Sequence, residues 1–288
     1  MSSSENDKPI MRPKSNGKYM QQFDLKGKVA VITGGAGILG RHFCAGLAES
    51  GACVAIIDID GKAARKLAEE LTATYGVKVS GYSCDVSNVD SVKQIASQVV
   101  MDFGRVDILH NNAASKSDDL GAFFAPFEDY EISEWRKVMS VNLDGMFLMA
   151  QAFGKIMVTQ GFGGSIIQTA SIYGVQGPDQ RIYDGSLYMG QQINTPAVYS
   201  ASKAGVIGLT KYLATYWAQY GVRVNTLTPG GVESGQNDVF RQKYSARVPL
   251  KRMSKPDEMV GALLYLASDA SSYVTGQNII VDGGLNCW

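Results

Sequence analysis

Histidine is nearly missing from this chain: only His42 and His110 occur, too far apart to form a local metal motif. The four cysteines, Cys44, Cys53, Cys84 and Cys287, show no CxxC spacing, so no metal site is expected. Cys44 and Cys53 sit among apolar residues and read as reduced packing residues of a cytoplasmic protein. Neither sign of charge is in excess, with 27 Lys and Arg against 27 Asp and Glu, which argues against nucleic-acid binding through a basic field. No apolar run approaches the roughly 18 residues of a membrane span, so no membrane association is expected. Residues 1–22 are polar, carry Glu5 and Asp7 near their start and lack an apolar core; they read as a loose tail rather than a secretory signal. No internal repeat, low-complexity block or linker follows. Residues 23–288 are enough for one large α/β domain.

What is present is a regular alternation. Lys28–Thr33 is a short apolar, β-branched run that reads as a buried strand. Gly34-Gly35-Ala36-Gly37-Ile38-Leu39-Gly40 follows, then an amphipathic helix through Phe43 and Leu47 to Gly51, then a second strand, Val54–Ile57, ending in Asp58. Strand, glycine turn, helix, strand and acid make up a dinucleotide-binding fingerprint. Glycines let the backbone approach a pyrophosphate at the helix N-terminus, and Asp58, 18 residues after Gly40, can accept from the ribose hydroxyls. Further units follow: a helix over 62–75, a strand over 77–84 running into Asp85-Val86, a helix capped by Ser87 with Asp90 in a capping box, and a strand over 106–109 running into Asn111-Asn112-Ala113. A long helix over 133–160 precedes strands over 165–171 and 222–227, a helix over 256–267 and a last strand over 277–281. Such repeated units predict a doubly wound parallel sheet of Rossmann type, with ligands at the strands' C-terminal ends.

Three polar features stand out on this frame. Tyr199 and Lys203 are four residues apart on a helix expected to end near Tyr220, so they share a face. A lysine cation there favours phenolate and would pull the tyrosine down from about 10 into the range of a usable base. Asn142 interrupts the apolar stripe of the 133–160 helix, either as a satisfied structural amide or as a site residue facing a cleft. Ser171 falls at the ligand-bearing end of its strand.

In this order, the glycine turn, Asp85-Val86, Asn111-Asn112-Ala113, Asn142, Ser171, Tyr199/Lys203 and Pro229-Gly230 resemble the short-chain dehydrogenase/reductase family over about Leu25 to Gly284. The resemblance implies that Tyr199 takes the substrate hydroxyl proton while hydride moves to the nicotinamide, and that Lys203 lowers the tyrosine and binds the nicotinamide ribose. Ser171 would hydrogen-bond the reacting oxygen, and Asn142 would hold a proton-relay water. Cofactor contacts are implied at Gly34, Ile38, Leu39, Gly40, Asp58, Asp85, Val86, Asn112, Ala113, Tyr199, Lys203, Pro229, Gly230, Val232 and Ser234. Asp58, with no basic residue at Gly37 or Ile59, points to NAD over NADP. The family also suggests a homotetramer.

Two departures mark the chain. Thr33–Gly40 has Ile38 where the compact branch of the family has its middle glycine, and the 27 residues between Ser171 and Tyr199 exceed that branch's usual gap. Both are features of the extended branch, but only 89 residues follow Tyr199, too few for that branch's substrate domain. The expected protein is a compact NAD(H)-dependent alcohol dehydrogenase or ketone reductase with an enlarged substrate loop. The alternatives are a sugar-nucleotide epimerase or dehydratase holding NAD tightly, and a catalytically silent dinucleotide-binding protein. Residues 174–196, with Tyr173 and Arg181, are expected to form a lid or wall over the substrate, or else an oligomer contact. Arg241 and Arg247, in a basic segment over 236–255, are expected to recognise a polyhydroxylated or anionic small molecule.

Overall fold

The computed structural model describes residues 17–115 and 119–288. Seven parallel strands form the central sheet: β1 (Val29–Thr33), β2 (Cys53–Asp58), β3 (Val79–Ser83), β4 (Ile108–Asn111), β5 (Gly164–Thr169), β8 (Val222–Pro229) and β9 (Asn278–Val281). Their spatial order is β3-β2-β1-β4-β5-β8-β9. The chain leaves β1 in opposite directions to reach β2 and later β4, so a crevice opens above the C-terminal ends of β1 and β4. β6 (Leu187–Tyr188) and β7 (Gln191–Gln192) form a separate antiparallel hairpin inside the long loop.

The inner strands β1, β2, β4, β5 and β8 are buried on both faces, whereas the edge strands β3 and β9 are only half-buried. Alternate residues go to opposite sides. Val31, Ala55, Leu109, Ile166 and Val224 pack against α3 (Val89–Phe103), α6 (Gly145–Gln160) and α7 (Ala197–Trp217). Ala30, Val54, Ile108, Ile167 and Leu227 pack against α1 (Ile38–Glu49), α2 (Gly61–Tyr75) and α9 (Val260–Ala267). Of the remaining helices, α4 (Leu120–Phe123) and α8 (Asp238–Arg247) border the cavity at the C-terminal ends of the strands, and α5 (Ile132–Met139) packs on α7. No helix among the described residues is long and apolar enough to cross a membrane.

Several boundaries differ from the sequence expectation. α3 is capped by Asn88, whose Oδ1 accepts from the Ser91 N–H at 2.9 Å. Ser87 instead donates to Asp85, so the expected Ser87–Asp90 capping box does not form. The expected helix over 133–160 is α5, a π-helical turn at Ser140–Asp144, and then α6. β5 ends at Thr169, leaving Ser171 two residues beyond it. Residues 1–16 of the expected tail lie outside the described residues, and Met20–Phe23 form a 3-10 turn.

Candidate active site

The glycine turn is held by backbone geometry. Gly35 N–H donates to Ile57 O at 3.1 Å, and Ala36 N–H donates to Asp58 Oδ2 at 3.0 Å. A Cβ on Gly40 would lie 2.1 Å from Gly34 O, so only glycine lets α1 pass this close to the turn. A Cβ on Gly34 would meet Ala113 Cα at 2.9 Å. The first turn of α1, starting at Ile38 and Leu39, has no side-chain cap, so its N–H groups face the crevice unclaimed by side chains. The Asp58 carboxylate is aimed by two backbone donors, Ala36 and Asp60. These features fit a dinucleotide: a close backbone approach, a helix N-terminus and an acid at the end of β2.

A clamp across β1 and β4 supports the turn. Thr33 Oγ1 accepts from the N–H groups of Asn112 and Ala113, each at 3.0 Å, and Asn112 Nδ2 reaches the carbonyls of Thr33 and Gly34 at 3.2 Å. Asn112 therefore acts on the turn through its side chain. Thr33 was missed in the sequence, although a threonine ending a strand before two glycines was the available signal. Asp85 binds the N–H and hydroxyl of Ser87 and shapes the turn after β3, while Val86 is buried against Gly145. Gly230 lies so near the last strand's exit that a Cβ would come within 2.7 Å of Asp282 Cα. Val232 bridges to Ser254, and the Ser234 hydroxyl accepts from Gln236 at 2.8 Å.

Asn142 sits in the π turn, fully buried. Its Oδ1 accepts from the Ser115 N–H at 2.8 Å, while its Nδ2 has no hydrogen-bond partner among the described residues. The turn bonds Gly145 N–H to the Ser140 carbonyl, five residues back. Such insertions recur at functional positions because they displace backbone groups from the regular ladder. An orphaned buried amide hydrogen is the mark of a group awaiting a partner such as water.

Ser171 and Tyr199 reach the same cavity by different routes. Ser171 stands in extended backbone after β5, its Oγ accepting from Tyr173 N–H at 3.2 Å. Tyr199 lies in the first turn of α7, which begins after Pro196. Burial raises the Tyr199 phenol above its ordinary value, and its hydrogen bond with Ser171 works the other way. Lys203, one turn on, is buried, and its Nζ donates to Thr169 O at 2.9 Å and lies 5.8 Å from the Tyr199 ring centroid. Burial lowers the Lys203 amine to about 8. The expectation that Lys203 depresses Tyr199 is thus offset in the free chain, because burial disfavours the charge on both groups. Beneath them His110 meets Thr169 Oγ1 through Nε2 at 2.8 Å, and burial lowers the imidazole to about 3, so it stays neutral.

The cavity has a volume of about 360 Å³ and lies at the C-terminal end of the sheet. Ile38, Ser171, Tyr173, Tyr199, Gly230 and Ser234 all line it, so the structure brings together residues from the start of α1, the segments that follow β5 and β8, and α7. Leu187, Ile193, Asn194 and Thr195 of the long loop also line it, as do Phe240 and Tyr244 of α8, against which the loop packs. Asn194 was not singled out in the sequence, which offered only a loop rich in glycine and tyrosine.

Arg181, Arg241 and Arg247 do not line this cavity. Arg181 is paired with Asp179 through Nε and Nη2 at 2.9 and 2.8 Å. Arg247 reaches the same carboxylate at 3.3 Å, and Arg241 lies 3.5 Å from both Glu233 and Asp238. The structure does not bring these three, expected to recognise substrate, to the cavity: nearby acids already pair with them. The local basic excess had counted the cations without Asp179 and Glu233, which lie outside the segment.

Residues 35–286 match the family model described as enoyl-(acyl carrier protein) reductase. The chain is 35% identical over 271 residues to D-threitol dehydrogenase of Mycolicibacterium smegmatis, covering 91% of this chain and 94% of that protein. It is 35% identical over 290 residues to the NADH-dependent L-xylulose reductase of Ambrosiozyma monospora, covering 94% and 99%. Among solved structures, a short-chain type dehydrogenase/reductase from Mycobacterium marinum is 35% identical with a TM-score of 0.82, covering 94% of this chain and 100% of that one. A gluconate 5-dehydrogenase from Burkholderia cenocepacia in complex with NADP and tartrate is 32% identical with a TM-score of 0.82, covering 93% and 99%. With a switch-point crevice, a glycine turn and a serine–tyrosine pair at one cavity, the chain belongs to the short-chain dehydrogenase/reductase family and is an NAD(P)-dependent oxidoreductase acting on CH–OH groups.

Proposed function

We propose that this enzyme interconverts a secondary alcohol and a ketone on a sugar-like chain, with Tyr199 as acid–base and NAD(H) as the preferred cofactor. The observation that carries the reading is the convergence of Ser171 and Tyr199 on one cavity, with Lys203 buried one turn away. The nicotinamide, when bound, supplies the hydride acceptor or donor. In the oxidation direction Tyr199 takes the proton of the substrate hydroxyl at its Oη, and Ser171 Oγ donates to the reacting oxygen as charge develops there. Lys203, charged below about 8, provides the cation that favours phenolate. The free Nδ2 of Asn142 supports a water that returns the proton to solvent. The threitol dehydrogenase and xylulose reductase relatives support a polyhydroxylated substrate.

Asp58 favours NAD: its carboxylate is fixed at the end of β2 and would repel a 2′-phosphate, and the nearby Arg41 guanidinium donates to Ala36 O at 3.3 Å. The test is polyol oxidation with NAD and NADP by the wild type and Tyr199→Phe. NAD should give the higher kcat/KM, and Tyr199→Phe should lose about 10²–10⁴-fold in kcat while still binding NADH. A variant retaining more than roughly a tenth of kcat would place the base elsewhere.

We also infer a homotetramer assembled through α6 and α7. Phe147 on α6 and Tyr212 and Tyr216 on α7 are 45%, 63% and 57% exposed in the single chain. Ala201, Ala204 and Gly208 continue the α7 face as a smooth exposed stripe. A monomer by light scattering would overturn this assembly.

A further inference from the structure

The chemistry of the cavity wall narrows the substrate. No charged side chain is among the described residues that line it. Its polar groups are neutral: the phenols of Tyr173 and Tyr183, the hydroxyl of Thr195, and the amides of Asn194, Gln236 and Asn237. Burial raises both phenols, so they remain protonated donors. Asn194 uses Nδ2 on Phe124 O at 2.9 Å, and its Oδ1 is buried with no hydrogen-bond partner among the described residues. The Gln236 and Asn237 amides are already bonded within the chain and Tyr183 is paired with Thr195, so the wall meets a substrate hydroxyl chiefly with the Ser171, Tyr173 and Tyr199 hydroxyls, and its described residues offer no counter-charge to an anion.

The cations near the cavity have another task. Lys243 Nζ donates to the carbonyls of Arg181 and Asp184 at 3.2 and 2.7 Å, and Asn237 Nδ2 donates to Leu187 O at 2.8 Å. With the Arg247–Asp179 pair, these bonds fasten the long loop to α8. Behind them Ile182 and Tyr183 of the loop pack with Phe240, Tyr244 and Val248 of α8 in a small core of their own. With the basic residues engaged in this fastening, the described lining of the cavity carries no charged side chain.

We propose, resting on the function above, that the substrate is an uncharged polyol or its ketose, and that sugar acids and sugar phosphates are excluded. A carboxylate entering this cavity would lose its hydration without gaining a cation from the described lining residues. A neutral hydroxyl exchanges one hydrogen bond for another. Among relatives that act on threitol and on gluconate, this places the chain with the former.

The experiment measures kcat/KM for wild type on pairs matched in carbon chain and differing in charge, at about 50 and about 500 mM salt. D-threitol is set against tartrate, and mannitol against gluconate, with Arg241→Ala and Asn194→Ala alongside. The uncharged member of each pair should win by about a hundredfold or more, with little salt dependence. Asn194→Ala should raise KM for the polyols more than it lowers kcat. Turnover of tartrate or gluconate equal to that of the polyol, or a tenfold rise in KM for an acid in Arg241→Ala, would overturn the inference alone. Failure to oxidise any member of either class, with NADH still bound, would instead overturn the proposed function.

Discussion

The two halves of the site are built by different means. On the cofactor side the geometry is set by backbone: parallel strands end together, and Gly34, Gly35 and Ala36 are held by main-chain bonds and by the Thr33–Asn112 clamp. Glycines there are required by contacts as short as 2.1 Å. On the substrate side a loop with a two-residue-stranded hairpin is fastened to α8 by side chains and a small separate core. Gly177 of that loop has nothing within 4 Å of a built Cβ. The first half tolerates almost no change because it is close-packed backbone. The second is a surface assembly whose side chains can be replaced without disturbing the sheet.

A pair of glycine substitutions separates these halves most sharply. Gly40→Ala should destabilise the fold by about 1–3 kcal/mol and weaken NADH binding, since backbone and not a side chain must move. Gly177→Ala should stay within about 0.5 kcal/mol of wild type. Urea unfolding and NADH fluorescence titration measure both. Equal losses in the two variants would break the distinction.

A smaller effect is expected from the fastening. Asp179→Ala removes the shared partner of Arg181 and Arg247. It should raise KM for the substrate by about two- to fivefold while kcat and NADH affinity hold, because exposed pairs are individually weak. Hydrogen bonds from Arg181 hold Asp179 down at about 2, below its ordinary carboxylate value. The pairing is therefore intact above that ordinary value and is lost only as pH falls toward about 2, so the KM effect should not change between pH 6 and 8. Steady-state kinetics across that range check it. A change in NADH affinity as large as the change in KM would show that the two halves are coupled.

The sequence by itself determined the alternation of strands and helices, the glycine turn with Asp58, and the positions of Ser171, Tyr199 and Lys203. These are local signals: period, chain order and short spacings, which survive because a parallel sheet must bring all its C-terminal strand ends to one side. Asn142 was visible as a polar break in an apolar stripe, but its π turn was not, since an inserted residue leaves no mark in a pattern read at regular period. Tertiary structure alone decided the fate of the charges. Arg247 and Asp179 are 68 positions apart, and Lys243 finds its acceptors on backbone carbonyls 62 and 59 residues away. It also decided that burial sets the protonation of Tyr199 and Lys203 against their mutual attraction. Desolvation depends on everything packed around a group, and no spacing along the chain encodes that.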